Sequence, residues 1–429
     1  MDIRIESPPT GGTVRAIASK SQAHRLLVCA ALADKETYIK CSESSGDIEA
    51  TVGCLNSLGA DIKYDGAGFV IKPVAQPVSE SMVTQTCGES GATLRFMLPV
   101  CCALGVPADF IMVGRLRDRP SSPLLEQLAA NGCVISMYRG NLISSGQLTA
   151  GEYDLPGNVS SQFISGLLLA LPLLEGDSVI NVEGRVESLP YVTLTLNVLE
   201  RFGVRVKHRG SRGGRGAVYL IEGSQRYISR GEYSVEGDWS NAAPWLSAGA
   251  ISGSGVTCSN LNPGSSQGDM AILRLLERFG ANVAYEGDSV TVTPSKLYGI
   301  QIDAADTPDL VPLLAVVASV AKGETLITNA GRLRMKESDR LHAVAETLRV
   351  LGADITEKQD SLHIKGVKSL EGGSVPSFSD HRIVMMAAIA SLVSDNPVTI
   401  NVAESVTKSY PNFFKDFELL GGKVSEVSW

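Results

Sequence analysis

The chain has 429 residues, 44% apolar and 20% charged, with a formal net charge of −8. That length exceeds one ordinary core and suggests two domains of about 200 residues each; the balance of apolar and charged residues excludes a disordered chain. The acidic balance argues against a nucleic-acid partner, which wants a basic surface, and no apolar run approaches the ~20 residues needed to span a bilayer.

The first residues, Met1-Asp2-Ile3-Arg4, lack the apolar stretch of a signal peptide. A cytoplasmic protein with no membrane partner is therefore expected. The eight Cys lie at 29, 41, 54, 87, 101, 102, 133 and 258, several inside apolar runs and none in a CxxC pair, as reduced, mostly buried thiols would. Five His without paired spacing predict no metal site.

Taken in chain order, the sequence repeats one unit six times. A polar cluster meets a strongly apolar run at Lys20-Ser21-Gln22, Glu89-Ser90-Gly91, Ser160-Ser161-Gln162, Asp238-Trp239-Ser240-Asn241, Thr307-Pro308-Asp309 and Asp380-His381-Arg382. A helix apolar on nearly every side is buried, and polar residues or Gly at its start are N-cap and first-turn chemistry. Out of phase with these, an amphipathic helix end meets a Gly and then a strand start. These glycines are Gly59, Gly132, Gly203, Gly280, Gly352 and Gly421, in steps of 73, 71, 77, 72 and 69 residues. The reading is a helix stopped by a left-handed Gly, then a strand of alternating apolar residues. Six such strings at near-constant spacing mean internal duplication. Roughly 70 residues hold two helices and about four strands. The expected fold is α/β, a βαβαββ-like unit used six times, with buried parallel helices and the sheets outside.

Both series stretch most near residues 207–240. There, Lys207 to Gly216 is rich in Gly and Arg. It reads as a hairpin loop with solvated charges, since one short basic patch on an acidic chain is little evidence for nucleic-acid binding. Three repeats on each side of about 236 divide the chain into a domain of residues 19–236 and a domain of residues 1–18 plus 237–429, the N-terminal strand crossing over.

Parallel buried helices gather their N-termini at one end, where free N–H groups and the positive dipole ends suit anions. The side chains there are Lys20, Ser21, Arg25, Gly91, Ser160, Ser161, Gln162, His381 and Arg382; the clusters Arg332 to Arg340 and Thr407-Lys408-Ser409-Tyr410 join them. Each alone has a bland reading. Lys20-Ser21, Ser160 to Gln162 and Asp309 are ordinary caps, Lys336 to Arg340 a salt-bridged helix start, and Asp380 to Arg382 a surface turn. Recurrence at equivalent places in the repeats is what favours a site.

The same residues resemble a known family. Lys20-Ser21 with Arg25 and Ala30-Ala31-Leu32 resembles the KSxxxRxLxxAAL signature of the 5-enolpyruvylshikimate-3-phosphate (EPSP) synthases. Gly88 to Arg95 resembles that family's GNxGTxxR loop, Arg117-Asp118-Arg119-Pro120 its RxRP segment, Ser160-Ser161-Gln162 its SSQ segment and Ser188-Leu189-Pro190-Tyr191 its SxPY segment. Pro308-Asp309, Lys336-Glu337-Ser338-Asp339-Arg340, Asp380-His381-Arg382 and Lys408 follow in the family's order, so the resemblance covers the whole chain. The chain departs from the pattern at Ala92, Phe96, Ala18-Ser19 and Arg332.

The resemblance implies transfer of the enolpyruvyl group of phosphoenolpyruvate to the 5-hydroxyl of shikimate 3-phosphate, in the pathway to chorismate and aromatic amino acids, by a monomer without cofactor. It implies that Lys20, Gly91, Arg119, Gln162, Arg340, Arg382 and Lys408 hold phosphoenolpyruvate. Ser21, Arg25, Ser160, Ser161, Gln162, Ser188, Tyr191, Asp309 and Lys336 would hold shikimate 3-phosphate. Asp309 would accept the hydroxyl proton, and Glu337 with Lys20 or Lys408 would handle protonation of the methylene carbon. Charge agrees independently: two phosphomonoesters and two carboxylates bring roughly −5 to −6, against the cations Lys20, Arg25, Arg119, Lys336, Arg340, Arg382 and Lys408. The alternative is the sister transferase acting on UDP-N-acetylglucosamine, which needs a reactive loop Cys and a Lys-Asn start where this chain has Lys20-Ser21. An RNA 3′-phosphate cyclase would want a basic face, and a non-catalytic relative would be expected to lose Asp309 or Glu337.

Overall fold

The computed structural model describes residues 1–75, 81–210 and 216–427. The chain divides into two compact units, Met1–Ser19 with Glu236–Trp429, and Lys20–Val235.

The six polar-to-apolar transitions are six helix starts. Helices Lys20–Ala31, Gly91–Ala103 and Ser161–Ala170 lie in one unit and Trp239–Ile251, Val311–Val320 and His381–Ala390 in the other. His381–Ala390 is buried along its whole length, and the other five nearly so. Ser90, Ser160, Asp238 and Asp380 cap four of them, each side chain accepting from a backbone N–H of the first turn. That satisfies donors the helix itself leaves open. The fifth start differs from a simple cap. Asp309 sits in a short 3₁₀ turn, Pro308–Leu310, ahead of the helix, because Pro308 and Pro312 fix φ and withhold two N–H groups there.

The second signature is equally regular. All six glycines that follow the amphipathic helices have left-handed φ, from 79° at Gly203 to 114° at Gly280. A Cβ is disfavoured in that region, so Gly ends each helix and turns the chain into the next strand.

Among the described residues the strands form six four-stranded sheets of one pattern. In the sheet of Glu152–Pro156, Ser178–Glu183, Gly216–Ile221 and Val206–Gly210, the first pair is parallel and the next two pairs antiparallel. Buried and half-buried residues alternate along Ala108–Met112, where Ala108, Phe110 and Met112 face the core. The Lys207 to Gly216 segment is flanked by paired strands with Gly210 opposite Ala217; its residues 211–215 lie outside the described residues.

Two sheets are completed by distant chain segments. Asp2–Ser7 pairs between Val398–Asn401 and Lys423–Val427, and Gly12–Arg15 lies parallel to Val256–Ser259. Glu232–Ser234 lies parallel to Thr37–Lys40 in the other unit. The outgoing and returning chain cross side by side: Ser19 N–H donates to Glu236 C=O and Asp238 N–H to Ile17 C=O. All eight Cys are buried free thiols.

Candidate active site

In the Lys20–Val235 unit, Lys20 opens its helix with Nζ 2.7 Å from Asp47 Oδ2, both largely shielded. Asp47 lies in the first turn of Gly46–Ser57, where the helix dipole favours an acid. One turn beyond Lys20, Arg25 is buried. Its Nε donates to Thr195 Oγ1 at 2.7 Å, and its terminal nitrogens to the carbonyls of Ser21 at 2.6 Å and Tyr191 at 3.0 Å. The guanidinium also stands 5.0 Å from the Phe96 ring centre. Burial brings its pKa down to about 10, so it remains a cation at neutral pH. Arg25 thereby ties Ser21 to Tyr191, two residues of the expected shikimate 3-phosphate set. Ser188, a third, precedes helix Leu189–Arg201 with a left-handed φ of 55°.

The expected phosphoenolpyruvate residues of this unit gather around two arginines. A Cβ at Gly91 would stand 2.8 Å from the Arg119 guanidinium, so Gly lets that side chain lie against the helix start. Arg95 donates to Gln162 Oε1 at 2.7 Å and to Pro120 C=O at 2.8 Å, with its guanidinium 5.4 Å from the Phe163 ring centre. It thus fixes Gln162, whose N–H is capped by Ser160 Oγ at 3.3 Å, beside the Arg119-Pro120 segment. Behind them runs a buried chain of side chains. His24 Nδ1 pairs with Thr51 Oγ1 at 2.7 Å, Thr51 with Thr93 at 2.7 Å, and Thr93 donates to Ser90 Oγ at 2.8 Å. Burial drives the His24 pKa down to about 3, so it is neutral.

The other unit builds a charge cluster. Arg340, 1% exposed, donates from Nε to Asp380 Oδ2 at 2.9 Å and from Nη2 to Asp380 Oδ1 at 3.1 Å, a bidentate pair. Its Nη1 reaches Asp309 Oδ1 at 2.7 Å and its Nη2 Glu337 Oε2 at 2.5 Å. Lys336 Nζ stands 3.5 Å from the same Asp309 oxygen. Burial pushes the Asp309 carboxyl up, but Lys336, Arg382 and Arg340 outweigh it and hold the group well below the ordinary carboxylate range. Burial lowers the Lys336 pKa, and Asp309 opposes the shift. Arg382 donates through Nη1 to Ser240 C=O at 2.8 Å and through Nη2 to Ser240 Oγ. Its helix packs on the 3₁₀ turn Ala403–Lys408, which ends in half-buried Lys408. Two residues on, Tyr410 accepts from Trp245 Nε1 at 3.0 Å and donates to Asp416 at 2.6 Å, anchoring that turn to the core.

The partners that hold these groups carry no signal in the sequence. Asp380 and Arg95 stand inside the motifs, but nothing local announces that one grips Arg340 and the other Gln162. Ser240 stood in a helix-start cluster and was legible only as first-turn chemistry. Asp47 and Thr195 lie 27 and 170 residues from the cations they meet, and no periodicity could have found them. Among the described residues no group of three or more His, Cys, Asp or Glu is placed to hold a metal ion, and no helix is long and apolar enough to cross a membrane.

Comparison with known proteins agrees with this architecture. A family model described as EPSP synthase (3-phosphoshikimate 1-carboxyvinyltransferase) matches residues 6–417. A protein of Clostridium acetobutylicum named 3-phosphoshikimate 1-carboxyvinyltransferase is 42% identical over 422 residues, covering 97% of this chain and 96% of the relative. A Clostridium kluyveri protein of the same name is 41% identical over 428 residues, covering 99% of each. Among solved structures, the Acinetobacter baumannii EPSP synthase has the same fold, with a TM-score of 0.79 at 24% identity, covering 99% of this chain and 100% of that one. The enolpyruvyl transferase NikO from Streptomyces tendae is similar at 0.78 and 18%, covering 99% and 98%. With the family matched over nearly its whole length and relatives above 40% identity end to end, this chain belongs to the EPSP synthase family.

Proposed function

We propose that this protein transfers the enolpyruvyl group of phosphoenolpyruvate to the 5-hydroxyl of shikimate 3-phosphate, releasing phosphate and EPSP. The observation that carries the reading is the cluster in which buried Arg340 is shared by Asp309, Glu337 and Asp380 with Lys336 alongside. It supplies acids and cations together, as proton transfer between two polyanionic substrates requires.

In this reading Lys20, Gly91, Arg119, Gln162, Arg340, Arg382 and Lys408 hold phosphoenolpyruvate. Ser21, Arg25, Ser160, Ser161, Gln162, Ser188, Tyr191, Asp309 and Lys336 hold shikimate 3-phosphate. Addition joins the 5-oxygen to C2 of phosphoenolpyruvate, its proton passes to Asp309, and a proton from Glu337, Lys20 or Lys408 enters the methylene carbon. Elimination then breaks the C2–O bond to phosphate and removes one methyl proton. Asp309 is a weak base while Lys336, Arg382 and Arg340 act on it. Anions bound to those cations reduce their field, so Asp309 climbs towards a working pKa when substrate is present. The reaction needs no metal or cofactor. The protein acts as a cytoplasmic monomer, with its N-terminal strands belonging to the domain of residues 237–429.

Phosphate release with each substrate omitted in turn tests this. Release that requires both phosphoenolpyruvate and shikimate 3-phosphate is the expected result. Release with UDP-N-acetylglucosamine in place of shikimate 3-phosphate would overturn it.

A further inference from the structure

We infer that Asp269 is a positioning residue for the anion-binding edge of Arg382, acting through the Ser240 hydroxyl; this rests on the function proposed above.

The geometry begins with the turn Gly268–Ala271, which leads into helix Ile272–Phe279. Gln267 stitches that turn to the start of helix Trp239–Ile251. Its Nε2 donates to Gly237 C=O at 2.9 Å, and its Oε1 accepts from Trp239 N–H at 3.2 Å. Asp269, 2% exposed, is thereby set beside Ser240, whose hydroxyl donates to its carboxylate. A hydroxyl has one proton to give. Spent on Asp269, it leaves the Ser240 oxygen facing Arg382 as a pure acceptor, together with the Ser240 carbonyl. Both terminal nitrogens of Arg382 are then engaged by one residue. The remaining edge, Nε with the second hydrogen of Nη2, is the planar fork that a carboxylate fits. Arg382 Nε is buried and has no hydrogen-bond partner among the described residues.

Charge adds a second effect. Burial and then Asp309 push the Asp269 carboxyl up to about 6, Asp238 acts in the same direction, and Ser240 and Arg382 oppose them. These groups face it from the turn Pro308–Leu310, from the start of helix Trp239–Ile251 and from helix His381–Ala390. Below that pH Asp269 is neutral and Arg382 presents its full charge. Above it, an anion arriving at Arg382 meets an added negative charge.

The test is the KM for each substrate across roughly pH 5.5 to 8.5, bracketing the transition, in the full chain and two variants. Asp269→Asn keeps an acceptor for Ser240 and removes the charge; Asp269→Ala removes both. Titration of the substrate phosphate is common to all three and cancels in ratios. The parent-to-D269N ratio of KM for phosphoenolpyruvate should rise from near unity at the acid end to about three- to tenfold at the alkaline end. D269A should raise that KM about tenfold over D269N at every pH, with the KM for shikimate 3-phosphate moving less than about twofold. In a Ser240→Ala background D269A should add less than about twofold. Equal shifts for both substrates in D269A, or full additivity with S240A, would overturn the inference alone. A parent that releases no phosphate from the two substrates together would overturn the proposed function and this inference with it. Should D269A fail to fold, D269N decides at about pH 5.5: with the acceptor kept, a KM for phosphoenolpyruvate within about twofold of the parent is expected, and a rise of about tenfold would overturn the inference.

Discussion

Arg25 and Arg95 of one unit and Arg340 of the other are held in different ways. In the Lys20–Val235 unit, Arg25 and Arg95 are held largely by neutral oxygens: the Thr195 hydroxyl, the Gln162 amide and the carbonyls of Ser21, Pro120 and Tyr191. In the other unit, Arg340 is held by three carboxylates and Lys336 stands against one of them. Neutral acceptors fix a cation and leave its charge uncancelled. Carboxylates cancel it. Under the proposed function, Arg25 and Arg95 would attract anions, and Arg340 would exchange its own acids for those of the substrate while freeing Asp309 and Glu337 to carry protons.

Asp309→Ala probes this division most severely. Turnover should fall about a thousandfold while the KM for phosphoenolpyruvate stays within about threefold, because Arg340 gains freedom to bind anions as the base is lost. Unchanged turnover would remove Asp309 as the base. Next in size is Asp380→Ala, which strips Arg340 of its bidentate partner. Denaturant unfolding should show a loss of about 3–5 kcal/mol, the cost of leaving a buried charge undercompensated. Its counterpart, Thr195→Val, deprives Arg25 of one neutral acceptor and should cost only about 1–3 kcal/mol. Equal costs would erase the distinction between the units.

A pH experiment sharpens the view of the first unit. The folded His24 pKa of about 3 lies below its ordinary value of 6.5. As pH falls through 6.5 the unfolded chain takes up a proton that the folded chain refuses until about 3. Stability therefore drops across that window, by as much as roughly 4 kcal/mol at its acid end. His24→Asn keeps a polar atom near Thr51 and does not titrate, so urea midpoints at pH 7 and pH 5 should differ less in the variant than in the parent. The smallest effect belongs to Gly91→Ala. The new methyl pushes on the end of the flexible Arg119 side chain, so the KM for phosphoenolpyruvate should rise about tenfold with stability nearly unchanged. An unaltered KM would mean that Arg119 takes no part in binding.

Much of the architecture was written in local patterns. Every helix start announced by a polar cluster and every helix stop announced by Gly stands where the repeats put it, because caps and left-handed glycines are short-range chemistry. Asp309 was legible as a helix-start residue but not as part of a 3₁₀ turn beside Lys336 and Arg340. The motif residues Gly91, Gln162, Arg340 and Arg382 could be named from the sequence, while their holders Arg119, Arg95, Asp380 and Ser240 could not be assigned to them.

By itself the sequence determined the six-fold repeat, the buried helices, the sheets that cover them and the family, since these follow from periodicity, capping and motif order along one chain. Only the tertiary structure decided that Arg340 is shared among three carboxylates, that Arg25 spends its donors on Ser21, Tyr191 and Thr195, and that Ser240 stands between Asp269 and Arg382. The reason is physical. Ion pairing and burial depend on distances between residues far apart in the chain, and those distances exist only once the helices have packed.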